Sequence, residues 1–177
     1  LDGTLSDWEA AIRRTEPEQA DRLLAVLDGL HPRQDGHLVD GAHYLLFVTG
    51  ADIWAQVLGT QDGAVEAAER FEAGFRAVAF AEAEAVLAEL AHRFRLALVT
   101  NSPRAHAALA DMGLTDHFEA VVEIPPDLRK PRAEGFWHAA DQLGLDPGDL
   151  VYVGDSYRCD VQGGLAAGVR PIWVDRW

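Results

Sequence analysis

A handful of polar residues in the second half of the chain have the types and the order that phosphoryl chemistry needs. Thr100 and Asn101 follow the apolar run LALV, Lys130 follows the loop EIPPDLR, and Gly154, Asp155 and Ser156 follow LVYV, with Asp160 about one helical turn beyond Asp155. A hard divalent cation takes carboxylate and carbonyl oxygens. A transferring phosphoryl group takes hydroxyl, amide and ammonium donors around its oxygens. The set supplies both. Taken singly, Asp155 also reads as a helix cap, Lys130 as a surface charge and Thr100 as the end of a strand, so it is the order and spacing that carry the argument.

The elements that must position these residues are legible from periodicity. After Phe80 the pattern alternates between helix and strand. AEAEAVLAELAHRF carries Val86, Leu87, Leu90 and Phe94 at helical spacing, and RLALVT follows as a short buried strand. NSPRAHAALADMG then reads as a helix with Ser102 as cap, Pro103 in the first turn and Gly113 as stop. FEAVVE, LVYVGD and RPIWV read as further strands, separated by the helices RAEGFWHAADQLG and YRCDVQGGLAAG. Strands and helices alternating in this way predict βαβ units and a parallel sheet, whose ligands sit at the carboxyl ends of the strands. The predicted fold class is therefore α/β.

Residues 8–78 have a different texture. Leu23, Leu24 and Leu27 lie on one helical face, Val65, Ala68, Phe75 and Val78 on another, and glycines and Pro32 cut the stretch into short helices. Thr15 and Glu18 have capping-box spacing, with Pro17 between them. This predicts a small all-helical unit.

The segments LDGTL, LALVTNS, KP and YVGDSYRCD resemble, in order, the signature motifs of the haloacid dehalogenase-like (HAD) hydrolase superfamily, closest in style to its phosphoglycolate phosphatase-like branch. The resemblance implies a Rossmann-like parallel sheet core, residues 1–7 and 79–177, with an inserted helical cap, residues 8–78. It also implies a Mg²⁺-dependent phosphomonoester hydrolase working through an aspartyl phosphate on a small phosphorylated metabolite. Asp2 would be the general acid and base and would offer its backbone carbonyl to the metal. Thr100 and the backbone at Asn101 would hold phosphoryl oxygens, and Lys130 would neutralise their charge. Asp155 would ligate Mg²⁺, with Asp160 supporting that shell. The family's first motif places the nucleophilic aspartate immediately before Leu1, so that residue and the first strand are expected upstream, and the chain as written is expected to be inactive. Cys159 and Ala133 depart from the commonest pattern at positions without a chemical role.

Other readings are weaker. A 2-haloacid dehalogenase of the same fold lacks the second aspartate, which is Asp2 here. A receiver-type signalling domain has no helical insertion of this size and no GDSxxxD. A catalytically silent HAD-like binding protein is supported only by the nucleophile's absence. Gly163, Gly164 and Gly168 do not directly follow a strand and read as close helix packing rather than a dinucleotide loop.

The bulk composition narrows the field. The 177 residues carry a net charge of -14, which opposes binding to nucleic acid and anionic membranes. One cysteine allows no intrachain disulfide and suits a reducing compartment, so a cytoplasmic protein is expected, as monomer or homodimer. The seven histidines are scattered and form no HExxH. Trp8, Trp54 and Phe75 read as core of the helical unit, and Arg13, Arg14, Arg33 and His37 as candidate readers of the leaving group.

Overall fold

The computed structural model describes residues 4–30, 33–34, 37–38 and 49–176. Asp2 lies outside them. The chain divides into two compact units, one formed by residues 4–7 with Ala77–Arg176, the other by Trp8–Arg76. No helix among the described residues is long and apolar enough to cross a membrane.

The second unit holds helices α1 (Trp8–Thr15), α2 (Ala20–Leu30), α3 (Gly50–Leu58) and α4 (Ala64–Gly74). Its core gathers Ile12, Leu23, Ile53, Trp54 and Val57 against Ala64, Ala67 and Ala68, whose small side chains let α4 lie close to α3. Trp54, Phe71, Phe75 and Trp8 form a chain of tilted ring contacts at 5.8, 5.4 and 5.3 Å. The aromatic residues named from sequence thus pack within this unit. The expectation of an all-helical unit needs correction. Strands β1 (Arg33–Gln34) and β2 (His37–Leu38) pair antiparallel, Arg33 opposite Leu38 and Gln34 opposite His37.

The expected capping box at Thr15 also fails. The Thr15 hydroxyl turns back to donate to the Ala11 carbonyl at 2.9 Å and so belongs to the end of α1. The box is at Thr49 instead. Its hydroxyl accepts from the Asp52 amide at 3.1 Å while the Asp52 carboxylate accepts from the Thr49 amide at 3.0 Å.

The first unit alternates as the periodicity predicts. Helix α5 (Ala83–Ala91) precedes β3 (Ala97–Thr100), then α6 (Ala105–Met112), β4 (Ala120–Glu123), α7 (Ala133–Leu143) and β5 (Val151–Gly154). A π-helical turn, Tyr157–Gln162, runs into α8 (Gly163–Ala167), and β6 (Arg170–Trp173) closes the order. Leu87, Leu98, Leu109 and Leu114 form one buried cluster, and Val99, Val122, Ile124 and Ala139 another. Of the residues read at helical spacing in this stretch, Val86 on α5 and Phe94 just beyond its end are exposed.

The strands are short and parallel, but among the described residues they form two separate pairs rather than one continuous sheet. β3 pairs with β4, in register from Ala97 opposite Ala120 to Thr100 opposite Glu123. β5 pairs with β6, from Val151 opposite Arg170 to Gly154 opposite Trp173.

Candidate active site

The expected residues at the ends of β3 and β5 converge with the loop after β4. Thr100, the last residue of β3, is buried, and its Oγ1 accepts from the Ser102 amide at 3.1 Å. Asn101 follows. Its side chain clamps the Lys130 backbone from both sides, Nδ2 donating to the Lys130 carbonyl and Oδ1 accepting from the Lys130 amide, each at 3.0 Å. The sequence reading assigned a role to the backbone at Asn101. The side chain adds one that composition cannot reveal, since it fixes the loop that presents Lys130 to the strand ends.

Lys130 is a buried cation. Its ammonium donates to Asp160 Oδ1 at 2.6 Å and to the Tyr152 hydroxyl, and it lies 4.6 Å from the Tyr152 ring centroid. Burial alone would push the lysine down, since a charge loses its hydration. The neighbouring Tyr152 and Asp160 more than offset that, and the ammonium is held above the usual lysine value. Burial likewise raises the Tyr152 phenol, against the pull of Lys130. At neutral pH the site therefore contains a charged ammonium and an intact phenol.

Asp160 engages both of its oxygens. While Oδ1 takes the Lys130 ammonium, Oδ2 accepts from the Ser156 amide at 3.0 Å. The Ser156 hydroxyl in turn caps the π-helical turn by accepting from the Cys159 amide at 3.1 Å. Asp160, expected in support of a metal shell, thus lies where it balances the charge of Lys130. Gly154 makes room for it, because a Cβ there would stand 2.3 Å from Asp160 Oδ2.

Asp155 sits at the end of β5, half-buried, with Oδ1 accepting from the Thr4 hydroxyl at 2.7 Å. Burial raises its carboxyl above the usual range, against the pull of that hydrogen bond. Its backbone carbonyl accepts from the Trp173 indole at 2.9 Å, which ties β5 to the end of β6. No three His, Cys, Asp or Glu residues among those described gather as a metal centre. The donors do fit a hard cation in kind, since Asp155 offers a partly buried carboxylate and the sequence places Asp2 two residues before Thr4, its hydrogen-bond partner.

Thr4 and Tyr152 were not singled out from sequence. Thr4 had a signal, its place two residues after Asp2. Tyr152 had none, because a tyrosine inside an apolar strand reads as core. Of the arginines considered as leaving-group readers, Arg13 donates to Glu9 and Asp21 at 2.9 and 2.7 Å, and Arg14 is exposed. The side chains of Arg33 and His37 lie outside the described residues.

The family profile of haloacid dehalogenase-like hydrolases matches residues 1–168. N-acylneuraminate-9-phosphatase of Rattus norvegicus is 35% identical over 99 residues, covering 54% of this chain and 40% of that protein. Phosphoglycolate phosphatase of Pectobacterium atrosepticum is 31% identical over 140 residues, covering 70% and 59%. The chain thus spans about half the length of these curated relatives. Among solved structures, the HAD-hydrolase YfnB from Bacillus subtilis bound to magnesium is similar in fold, with TM-score 0.70 and 20% identity over 98% of this chain and 85% of that one.

Proposed function

The chain belongs to the haloacid dehalogenase-like hydrolase family, and from that premise we propose that it hydrolyses the phosphomonoester of a small metabolite in the presence of Mg²⁺. The observation that carries this reading is the Lys130 ammonium, buried and held between Asp160 and Tyr152 where β3 brings Thr100 and β5 brings Asp155. A fixed ammonium and hydroxyl donors preorganise a place for phosphoryl oxygens, and that preorganisation is where enzymes of this chemistry gain most of their rate. The relatives named as phosphatases of small acidic metabolites support the substrate class.

In this reading Thr100 and the amide beside Asn101 bind phosphoryl oxygens, and Lys130 neutralises their charge. Asp2 gives a proton to the leaving oxygen and takes one from the attacking water. The nucleophile is an aspartate directly before Leu1, whose attack on phosphorus forms the aspartyl phosphate and so divides one hard step into two easier ones. Asp155 and the Asp2 carbonyl would hold Mg²⁺, which would supply shielding of the phosphoryl charge. The helical unit, residues 8–76, serves as the cap that selects the leaving group.

The test is hydrolysis by a chain extended upstream through that aspartate, assayed with Mg²⁺ on N-acylneuraminate 9-phosphate, phosphoglycolate, phosphoserine and an aryl phosphate. Activity is expected on at least one of them, lost in excess EDTA and heavily reduced by Asp155→Asn. Asp2→Asn is expected to cost about 10² to 10⁴ in rate, the scale of general acid and base catalysis. Undiminished turnover in EDTA would remove the metal from the scheme, and no turnover on any ester would remove the scheme itself.

A further inference from the structure

We propose that Trp173 is a positioning residue for the metal side of the site, its indole N–H holding the Asp155 backbone so that the carboxylate is already in place when Mg²⁺ arrives. The proposal rests on the phosphatase reading above and adds a residue to it.

Magnesium is a demanding partner. It requires near-ideal octahedral geometry at about 2.0–2.1 Å and gives up its waters reluctantly, so a carboxylate that must first be moved into position binds it less tightly. Groups that orient a ligand from behind therefore tune metal affinity. The β5–β6 ladder stops one residue short of Asp155. Its last rungs are Gly154 opposite Trp173 and the Val174 amide donating to the Gly154 carbonyl at 2.9 Å. The next carbonyl, that of Asp155, lies past the ladder and takes the Trp173 indole N–H at 2.9 Å where a strand partner would otherwise stand. The side chain of the same residue is held separately, Oδ1 accepting from the Thr4 hydroxyl at 2.7 Å. Backbone and carboxylate are thus each tethered.

The indole is fixed in turn. Its ring meets that of Tyr157 at 5.4 Å and 66°, close to edge-on, and Tyr157 opens the π-helical turn two residues after Asp155. Trp173 therefore touches the chain on both sides of Ser156, whose hydroxyl caps that turn and whose amide binds Asp160. Both rings are partly exposed, Tyr157 at 42% and Trp173 at 36%, so neither serves mainly to fill the core. The contact is made along the β6 edge of β5, and a strand joining the opposite edge leaves it intact. A phenylalanine at 173 would keep a ring against Tyr157 and remove only the donor.

The experiment titrates Mg²⁺ calorimetrically, without substrate, into the upstream-extended protein and its Trp173→Phe and Trp137→Phe variants. Trp137 is the control, since its indole also donates to a backbone carbonyl, that of Ala167 at 3.1 Å, but from α7. Trp173→Phe is expected to weaken Mg²⁺ binding about 3- to 10-fold, the scale of one neutral hydrogen bond, and Trp137→Phe to leave it unchanged. The stoichiometry of the titration reports the folded fraction, so partial unfolding lowers that number and not the affinity. On an aryl phosphate, the Mg²⁺ concentration that gives half the maximal rate should rise by the same factor, with kcat restored at saturating Mg²⁺. An unchanged Mg²⁺ affinity in Trp173→Phe, an equal loss in Trp137→Phe, or a kcat that saturating Mg²⁺ does not restore would each overturn the role of Trp173. A parent protein that binds no Mg²⁺ would overturn the metal in the phosphatase reading beneath it.

Discussion

Gly154 shows how much of the site depends on a single hydrogen atom. With a Cβ at 2.3 Å from Asp160 Oδ2 and 2.6 Å from its Cβ, alanine fits only if Asp160 moves. Asp160 cannot move cheaply, because it balances the Lys130 charge at 2.6 Å with both side chains 7% exposed. Separating such a buried pair leaves an uncompensated charge, at a cost of about 3 to 5 kcal/mol, more than the 1 to 3 kcal/mol typical of overpacking alone. Gly154→Ala is therefore expected to lower stability toward the larger figure in urea unfolding. It should also weaken phosphate binding, though it touches no substrate. A loss under about 1 kcal/mol would mean that Asp160 relaxes freely. At this scale the sequence was informative where residues end strands, since Thr100, Asn101, Lys130, Asp155 and Asp160 do converge around the strand ends. It was silent about Tyr152 and about the side-chain clamp of Asn101, because which polar tip meets which backbone group depends on tertiary contacts across 29 to 53 positions of chain.

At the scale of elements, strands and helix stops were legible and helix starts were not. Gly113, Gly144 and Gly168 end α6, α7 and α8 at positive φ, a conformation glycine adopts without penalty. Starts proved subtler. At α6 the Ala105 amide is capped by Glu123 from β4 at 3.0 Å, which no local pattern announces. The box at Thr49 uses aspartate at its third position, where a search for Glu or Gln passes over it. Gly163 and Gly164 do serve close packing, since a Cβ on Gly163 would meet the Pro131 carbonyl at 2.8 Å and Gly164 faces Phe136.

The Thr49 box carries a pH dependence with a definite sign. The Thr49 hydroxyl and amide hold the Asp52 carboxyl below its ordinary value of 3.8. A depressed folded pKa contributes stability above the unfolded value, and that contribution fades as pH falls through the folded one. Thermal unfolding of the parent should accordingly show the helical unit gaining from Asp52 at pH 7 and losing that gain below about pH 4. Asp52→Asn is expected to be destabilising at neutral pH and less so at a pH below the ordinary aspartate value. Thr49→Ala should cost about 1 kcal/mol at pH 7, the usual scale for a lost N-cap. An Asp52→Asn effect of equal size at both pH values would show that shape, not charge, holds the cap.

At the scale of the whole molecule, charge and apolar surface oppose each other. The outer face of the β5–β6 pair presents Val151, Val153 and Ile172 at 50, 45 and 52% exposure, with Val153 directly opposite Ile172. β5 pairs with β6 on one edge only among the described residues. An apolar sheet face beside an unpaired edge is a template for association. A net charge of -14 resists it, since copies repel at long range. That repulsion is screened over about 30 Å at 0.01 M salt but only about 8 Å at 0.15 M, whereas apolar contact is not screened. Self-association of this chain is therefore expected to be weak in dilute buffer and to grow as salt rises, the reverse of an assembly held by ion pairs. Sedimentation across a salt series measures it, and binding of an apolar dye reports the exposed face directly. Val153→Lys should reduce both signals, because it places a charge in the middle of the patch, while leaving the melting temperature nearly unchanged, because the side chain faces solvent. A large drop in melting temperature would mean that the face is covered in solution, and association that weakens with salt would assign it to charge rather than to this patch.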